Sequence, residues 1–185
     1  ELVRVLPDVA NLRGRALRNL GVALVFLGDV ESGKQCLEEA LPLYRTDGDI
    51  SALSHLLQDL QIAYDRLGHL DQVGACLQEY VALRRELGGA GALALALNNM
   101  GYYYYQHGDY DRAYSTFQEG MQAVARVSDR RAESYLLWSL GDLQRDVHNY
   151  VEALRLYDRA LELHGSSRIP RGCQVTGVQT GALAI

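Results

Sequence analysis

Apolar residues recur along this chain at helical spacing, and the recurrence itself repeats every 40 residues. Leu17, Leu20 and Leu24 form the first stripe, and Leu57, Leu60 and Tyr64 the second. Leu97, Met100 and Tyr104 form the third, and Leu137, Leu140 and Gln144 the fourth. Offsets of three and seven fall on one face of an α-helix. A second stripe with the same offsets follows each one: Gly33, Leu37, Ala40; Val73, Leu77, Tyr80; Ala113, Phe117, Gly120; Ala153, Tyr157, Ala160. Between the paired stripes stand Gly28, Gly68, Gly108 and His148. The pattern predicts four units, each of two amphipathic helices joined by a tight turn. Gly accepts the left-handed backbone that ends a helix. His148 breaks that rule, at a cost of about 1 kcal/mol. Asp29, Asp109 and Asn149 are placed to cap the following helix, and Asn149 with Glu152 has capping-box spacing. Thr46–Asp49, Gly88–Gly91 and Ser128-Asp129 read as loops between units.

Small residues recur within the stripes. Gly21, Gly101 and Gly141 lie in first helices, and Gly33, Ala113, Ala153, Ala40, Gly120 and Ala160 in second helices. A helical Gly costs about 1 kcal/mol relative to Ala, so its recurrence implies close approach of helix axes. The order Leu97, Met100-Gly101, Tyr104, Gly108-Asp109-Tyr110, Ala113, Phe117, Gly120 resembles the tetratricopeptide (TPR) consensus. Gln61, Tyr80, Gln144 and His148 depart from it. The resemblance covers residues 12–164 and implies an all-α fold, a right-handed α-solenoid of about four TPR-like helix-turn-helix repeats. The 40-residue period exceeds the usual TPR length of about 34. That longer form is similar to the arrays of large bacterial signalling and transcription regulators, relatives of the maltotriose-responsive activator among them.

The expected organisation follows. Residues 1–11 read as the remnant of a preceding helix and a loop. Repeats occupy about 12–50, 51–90, 91–130 and 131–164. Residues 165–185 carry no helical stripe. They resemble a translated sequencing-adapter read-through, or else form a natural tail whose Val175, Val178, Leu183 and Ile185 cover the last repeat. The chain lacks an initiator Met, which suggests a piece of a longer protein. The array has no evident polar capping helix, so an exposed apolar end is expected to pair with another chain, homo-oligomers included, or to be covered by the tail.

Composition narrows the function classes. A net charge of -5 disfavours non-specific binding to nucleic acid. No apolar run is long enough to span a membrane. Cys36, Cys76 and Cys173 lack disulfide or zinc spacing, consistent with a reducing cytoplasm. The five histidines have no metal-ligand spacing, Gly88–Gly91 lacks the context of a nucleotide loop, and Ser, His and Asp form no catalytic grouping. No catalytic residue, metal or cofactor is expected, and the chain reads as a binding protein rather than an enzyme.

The resemblance implies that the first helix of each pair lines a concave binding face. The residues turned away from the core stripe there give the candidate site: Arg18, Asn19, Gln58, Asp59, Asn98, Asn99, Tyr102, Tyr105, Trp138 and Asp142. Aromatics and Arg anchor interfaces, and amide side chains pair with peptide backbone. In the run Tyr102–Tyr105, Tyr104 reads as core, while Tyr102 and Tyr105 read as groove. A Lys/Asn carboxylate clamp is not expected, because Lys34 is the only Lys and lies in a second helix. The expected function is a protein- or peptide-binding scaffold, part of a larger bacterial regulator. The alternatives are a small-ligand sensor and an end-to-end oligomerisation module.

Overall fold

The computed structural model describes residues 2–164, with side chains from Val9 to Leu163. Among the described residues there are eight helices and no strand. They are α1 (Leu2–Leu27), α2 (Val30–Asp47), α3 (Ile50–Leu67), α4 (Leu70–Leu87), α5 (Ala90–Gln106), α6 (Tyr110–Val124), α7 (Arg130–Asp146) and α8 (Tyr150–His164). This is an all-α repeat fold. The chain divides into two compact units, one up to Leu83 and one from Arg84. In the first unit α1 pairs with α2, and α3 packs on α2 with a lesser edge on α1. In the second unit α5 pairs with α6 and α7 with α8, while α7 also packs on α5 and α6.

Each hairpin turn is made where the pattern places it. Gly28, Gly68 and Gly108 have φ of 95°, 72° and 73°, and His148 takes the same left-handed backbone at 63°. The next helix is then capped: Asp29 Oδ1 accepts from Ser32 N at 3.2 Å, and Asp109 Oδ1 from Arg112 N at 3.1 Å. Asp49 and Asp129 do the same for α3 and α7. At the last turn the Asn149 amide instead donates to Gln144 Oε1, and Glu152 is held by Arg155.

Small residues bring helices into backbone contact. A Cβ on Gly21 would lie 2.8 Å from Gly33 O, and one on Gly33 would lie 2.7 Å from Gly21 O. Gly101 lies beneath the Phe117 ring and Gly141 beneath the Tyr157 ring; in each case a Cβ would lie 2.5 Å from the nearest ring carbon. Leu57, Leu97 and Leu137 are buried, as are Leu37, Leu77 and Phe117. The second unit's core joins Ala94, Phe117, Leu136, Leu140 and Leu156.

The structure departs from the pattern in four places. Leu20, expected in the core, is 52% exposed, whereas its counterparts Leu60 and Leu140 are buried. Those two lie on helices that also pack against the preceding hairpin, and no such hairpin precedes α1 among the described residues. The helix α1 runs from Leu2 without a break, so no loop separates residues 2–11 from the first repeat. Thr46 and Asp47 belong to α2, and Ala90 and Gly91 to α5. The loop before α5 is therefore only Gly88 and Gly89, at φ 75° and 86°. The expectations for residues 165–185, Cys173 included, lie outside the described residues.

Candidate functional site

The sequence-derived site residues fall into two groups, one in each unit. In the first unit, Arg18 on α1 and Asp59 on α3 form an ion pair, Nε to Oδ2 at 2.6 Å. Both are largely covered, with side chains 29% and 18% exposed. Burial raises the Asp59 carboxyl above its ordinary value, and the hydrogen bond from Arg18 offsets this only in part. Asn19 is exposed and Gln58 half-buried. Two turns further along α3, Arg66 Nη1 donates to Val25 O at 2.7 Å, a carbonyl in the last turn of α1 that also accepts from Gly28 N. Phe26 stands beside these groups, 77% exposed, with Val22 and Ile62 half-buried behind it.

In the second unit, the site is aromatic and acidic. Tyr102 and Tyr105, one turn apart on α5, have ring centroids 5.6 Å apart. The Tyr105 hydroxyl donates to Asp146 Oδ2 on α7 at 2.5 Å. Arg145 bridges the neighbouring carboxylates, with Nη1 to Asp142 at 3.0 Å and Nε to Asp146 at 2.9 Å. The Tyr157 hydroxyl of α8 donates to Asp142 Oδ1 at 2.7 Å, and its ring lies 5.2 Å from Trp138. Asn99 and Trp138 are half-buried. Asn98 is 2% exposed, so it presents no surface, and its Oδ1 has no hydrogen-bond partner among the described residues. Tyr104, read as core, is half-buried and packs on the core cluster, as Tyr102 and Tyr105 also do.

The two carboxylates differ in character. Burial raises the Asp142 carboxyl, outweighing the Tyr157 and Arg145 interactions that oppose it. At Asp146 burial acts in the same direction, but the hydrogen bonds from Tyr105 and Arg145 overcome it and hold the carboxyl below normal. Burial and the bond to Asp146 push the Tyr105 hydroxyl up, so it remains a donor at neutral pH. The network therefore holds the Tyr105 and Tyr157 hydroxyls and the two carboxylates in fixed hydrogen bonds. Burial likewise pushes the Cys76 thiol up to about 11, which suits an unreactive core position. Among the described residues, no three His, Cys, Asp or Glu gather as metal ligands, and no helix is long and apolar enough to cross a membrane.

Arg66 belongs to the group in the first unit, and Asp146 and Tyr157 to the group in the second, although the sequence alone did not assign them there. Tyr157 had been absorbed into the core stripe. A sequence signal existed for Asp146: it follows Tyr105 by 41 residues, the same separation as Arg18 and Asp59 and one more than the repeat.

Four hairpins on a forty-residue pattern, with polar and aromatic side chains linking the leading helices within each unit, define a helical repeat protein. The sequence signature of the tetratricopeptide repeat matches residues 92–165 and, in a second form, residues 14–47. Together these matches cover more than half of the chain, which belongs to the tetratricopeptide repeat family. Proteins of this family are generally non-catalytic scaffolds that bind proteins or peptides. Among solved structures, BtubC (BKLC) from P. vanneervenii is similar with a TM-score of 0.74 at 19% identity, covering 92% of this chain and 72% of that one. MamA is similar with a TM-score of 0.62 at 18% identity, covering 87% of this chain and 84% of that one. A second MamA structure, MSR-1 C2, gives 0.58 at 18% identity, covering 82% and 76%. Identities this low speak to the fold alone. No curated protein matches the sequence.

Proposed function

We propose that the second unit binds a peptide segment of a partner protein across α5 and α7, with Tyr102, Tyr105 and Trp138 as its anchors. The reading rests on one observation: three half-buried aromatic side chains stand beside the acidic pair Asp142 and Asp146 on adjoining leading helices. Half-buried aromatics already held in place lose little freedom on binding, which is what makes them effective anchors. Asn99 adds an amide able to pair with a peptide backbone. Arg18, Asn19, Gln58 and Asp59 form a second, more polar contact surface on the first unit. The forty-residue period supports placing the chain within a large bacterial signalling or transcription regulator acting in the cytoplasm.

Trp138 is the only Trp in the chain, so its emission reports directly on the site. Peptides selected from a random display library against the full chain should shift that emission. Tyr102→Ala should weaken them by about 30-fold, the effect of losing one anchor worth about 2 kcal/mol. Trp138→Ala should do the same, measured by calorimetry, with helical circular dichroism retained. Selected peptides that bind both variants as tightly as the parent would rule out this surface.

A further inference from the structure

A cavity of about 280 Å³ lies in the first unit, where the chain crosses from α2 to α3 against the side of α1. Its size is near the lower end of small-molecule sites, about 300–1,000 Å³. One wall is apolar: Leu43 and Tyr44 from α2 and Ala52 from α3. The Tyr44 ring sits close against Gly14, where a Cβ would lie 3.3 Å from its Cε2. The remaining wall carries charge of both signs. Arg15 and Arg18 come from α1 and His55 from α3, while Asp47 and Asp49 lie at the α2–α3 crossing.

Prior commitments decide which of these groups are available. Arg18 Nε is engaged by Asp59, and Asp49 Oδ1 caps Ala52 N. Asp47 Oδ2 accepts from Asn11 at 2.9 Å. Its Oδ1 has no partner among the described residues, and neither does exposed Arg15. A simple anion would meet the two carboxylates, and a simple cation would meet the two guanidinium groups. The charge balance is met by a ligand carrying both signs around a small apolar body.

We propose that this cavity binds a free amino acid with an apolar side chain. Arg15 and His55 receive its α-carboxylate, Asp47 receives its α-ammonium group, and Leu43 and Tyr44 pack on the side chain. The site is separate from the peptide surface of the second unit and stands or falls independently of it.

The test uses the full chain, ¹⁵N-labelled, titrated with L-leucine and L-phenylalanine to about 10 mM, enough to fill a site of about 1 mM affinity. Saturable shifts of the Gly14 and Ala52 amide signals are expected with at least one of the two. N-acetyl-L-phenylalanine and L-phenylalaninamide each lack one charge and should bind about tenfold more weakly than their parent. Arg15→Ala and Asp47→Asn alter exposed side chains, so the helical signal should persist while affinity falls by about tenfold in each. The proposal is overturned by silence at Gly14 and Ala52 with both amino acids, by blocked derivatives that bind as well as the parent, or by variants that bind unchanged.

Discussion

Replacing Gly33 by Ala adds one methyl group where α1 and α2 are closest. The new Cβ would lie 2.6 Å from Val25 Cγ2, 2.7 Å from Gly21 O and 2.9 Å from Val25 N. Two of those three atoms are α1 backbone, so no side-chain rotation relieves the overlap and the helices must separate. Gly-to-Ala inside a helix gains about 1 kcal/mol in propensity. Overpacking costs about 1–3 kcal/mol, and a backbone clash belongs at the upper end. The net loss is then about 2 kcal/mol. In a chain of this length, that lowers the melting temperature by about 4–8 °C. Gly120→Ala is the control. Its Cβ would meet Leu136 Cδ2 at 2.8 Å and Cδ1 at 3.2 Å, the mobile end of a side chain, with backbone no nearer than 3.5 Å. Propensity and strain should cancel there to within about 1 kcal/mol. Thermal melts followed by circular dichroism compare the two. The reasoning fails if Gly33→Ala melts at or above the parent temperature, or if Gly120→Ala loses as much.

Two further outcomes follow from local geometry. His148→Gly releases a left-handed non-Gly residue worth about 1 kcal/mol and gives up an exposed hydrogen bond and ring contact with Tyr150, which contribute little at the surface, so its melting temperature should rise by up to about 2–4 °C. An unchanged or lower value would show that the imidazole contributes more than its backbone strain costs. Asp59 has a raised carboxyl, so the folded state holds its proton more tightly than the unfolded state does. Its contribution favours folding below the ordinary value of 3.8 and is lost as pH rises through the raised value. Asp59→Asn removes that titration. Its melting temperature relative to the parent should therefore climb as pH rises from below 3.8 through the raised value, and a fall on that rise would contradict the burial argument.

The hairpins were legible because their signals are local and repeated. A turn Gly, a cap one residue later and a buried Leu at a fixed offset specify each one without knowledge of its neighbours. Leu20 misled because burial is not a local property: the same stripe position is covered at Leu60 and Leu140 and open at Leu20. Asn98 misled in the opposite sense, since an amide turned away from the Leu stripe was read as surface and is buried. The acidic half of the aromatic site escaped notice for a related reason. Asp146 sits in the last turn of α7, where a carboxylate reads as solvated, and its link to the Tyr105 hydroxyl comes from the preceding hairpin, which no local pattern announces. Arg18 and Asp59 were each placed on the binding face, but the bond that joins them was not apparent.

Arg18–Asp59 and Tyr105–Asp146 each reach from the leading helix of one hairpin to that of the next. In a repeat array each module touches only its neighbours, so the chain can in principle fray from its ends, module by module. Partly shielded charges shared between adjacent modules discourage that route. Peeling α1 away would break the Arg18–Asp59 ion pair and the hydrogen bond from Arg66 to Val25 O together, so the next hairpin loses both partners in one step. Within each unit, the two hairpins therefore gain by unravelling as a pair, which makes the pair rather than the single repeat the element of cooperative melting.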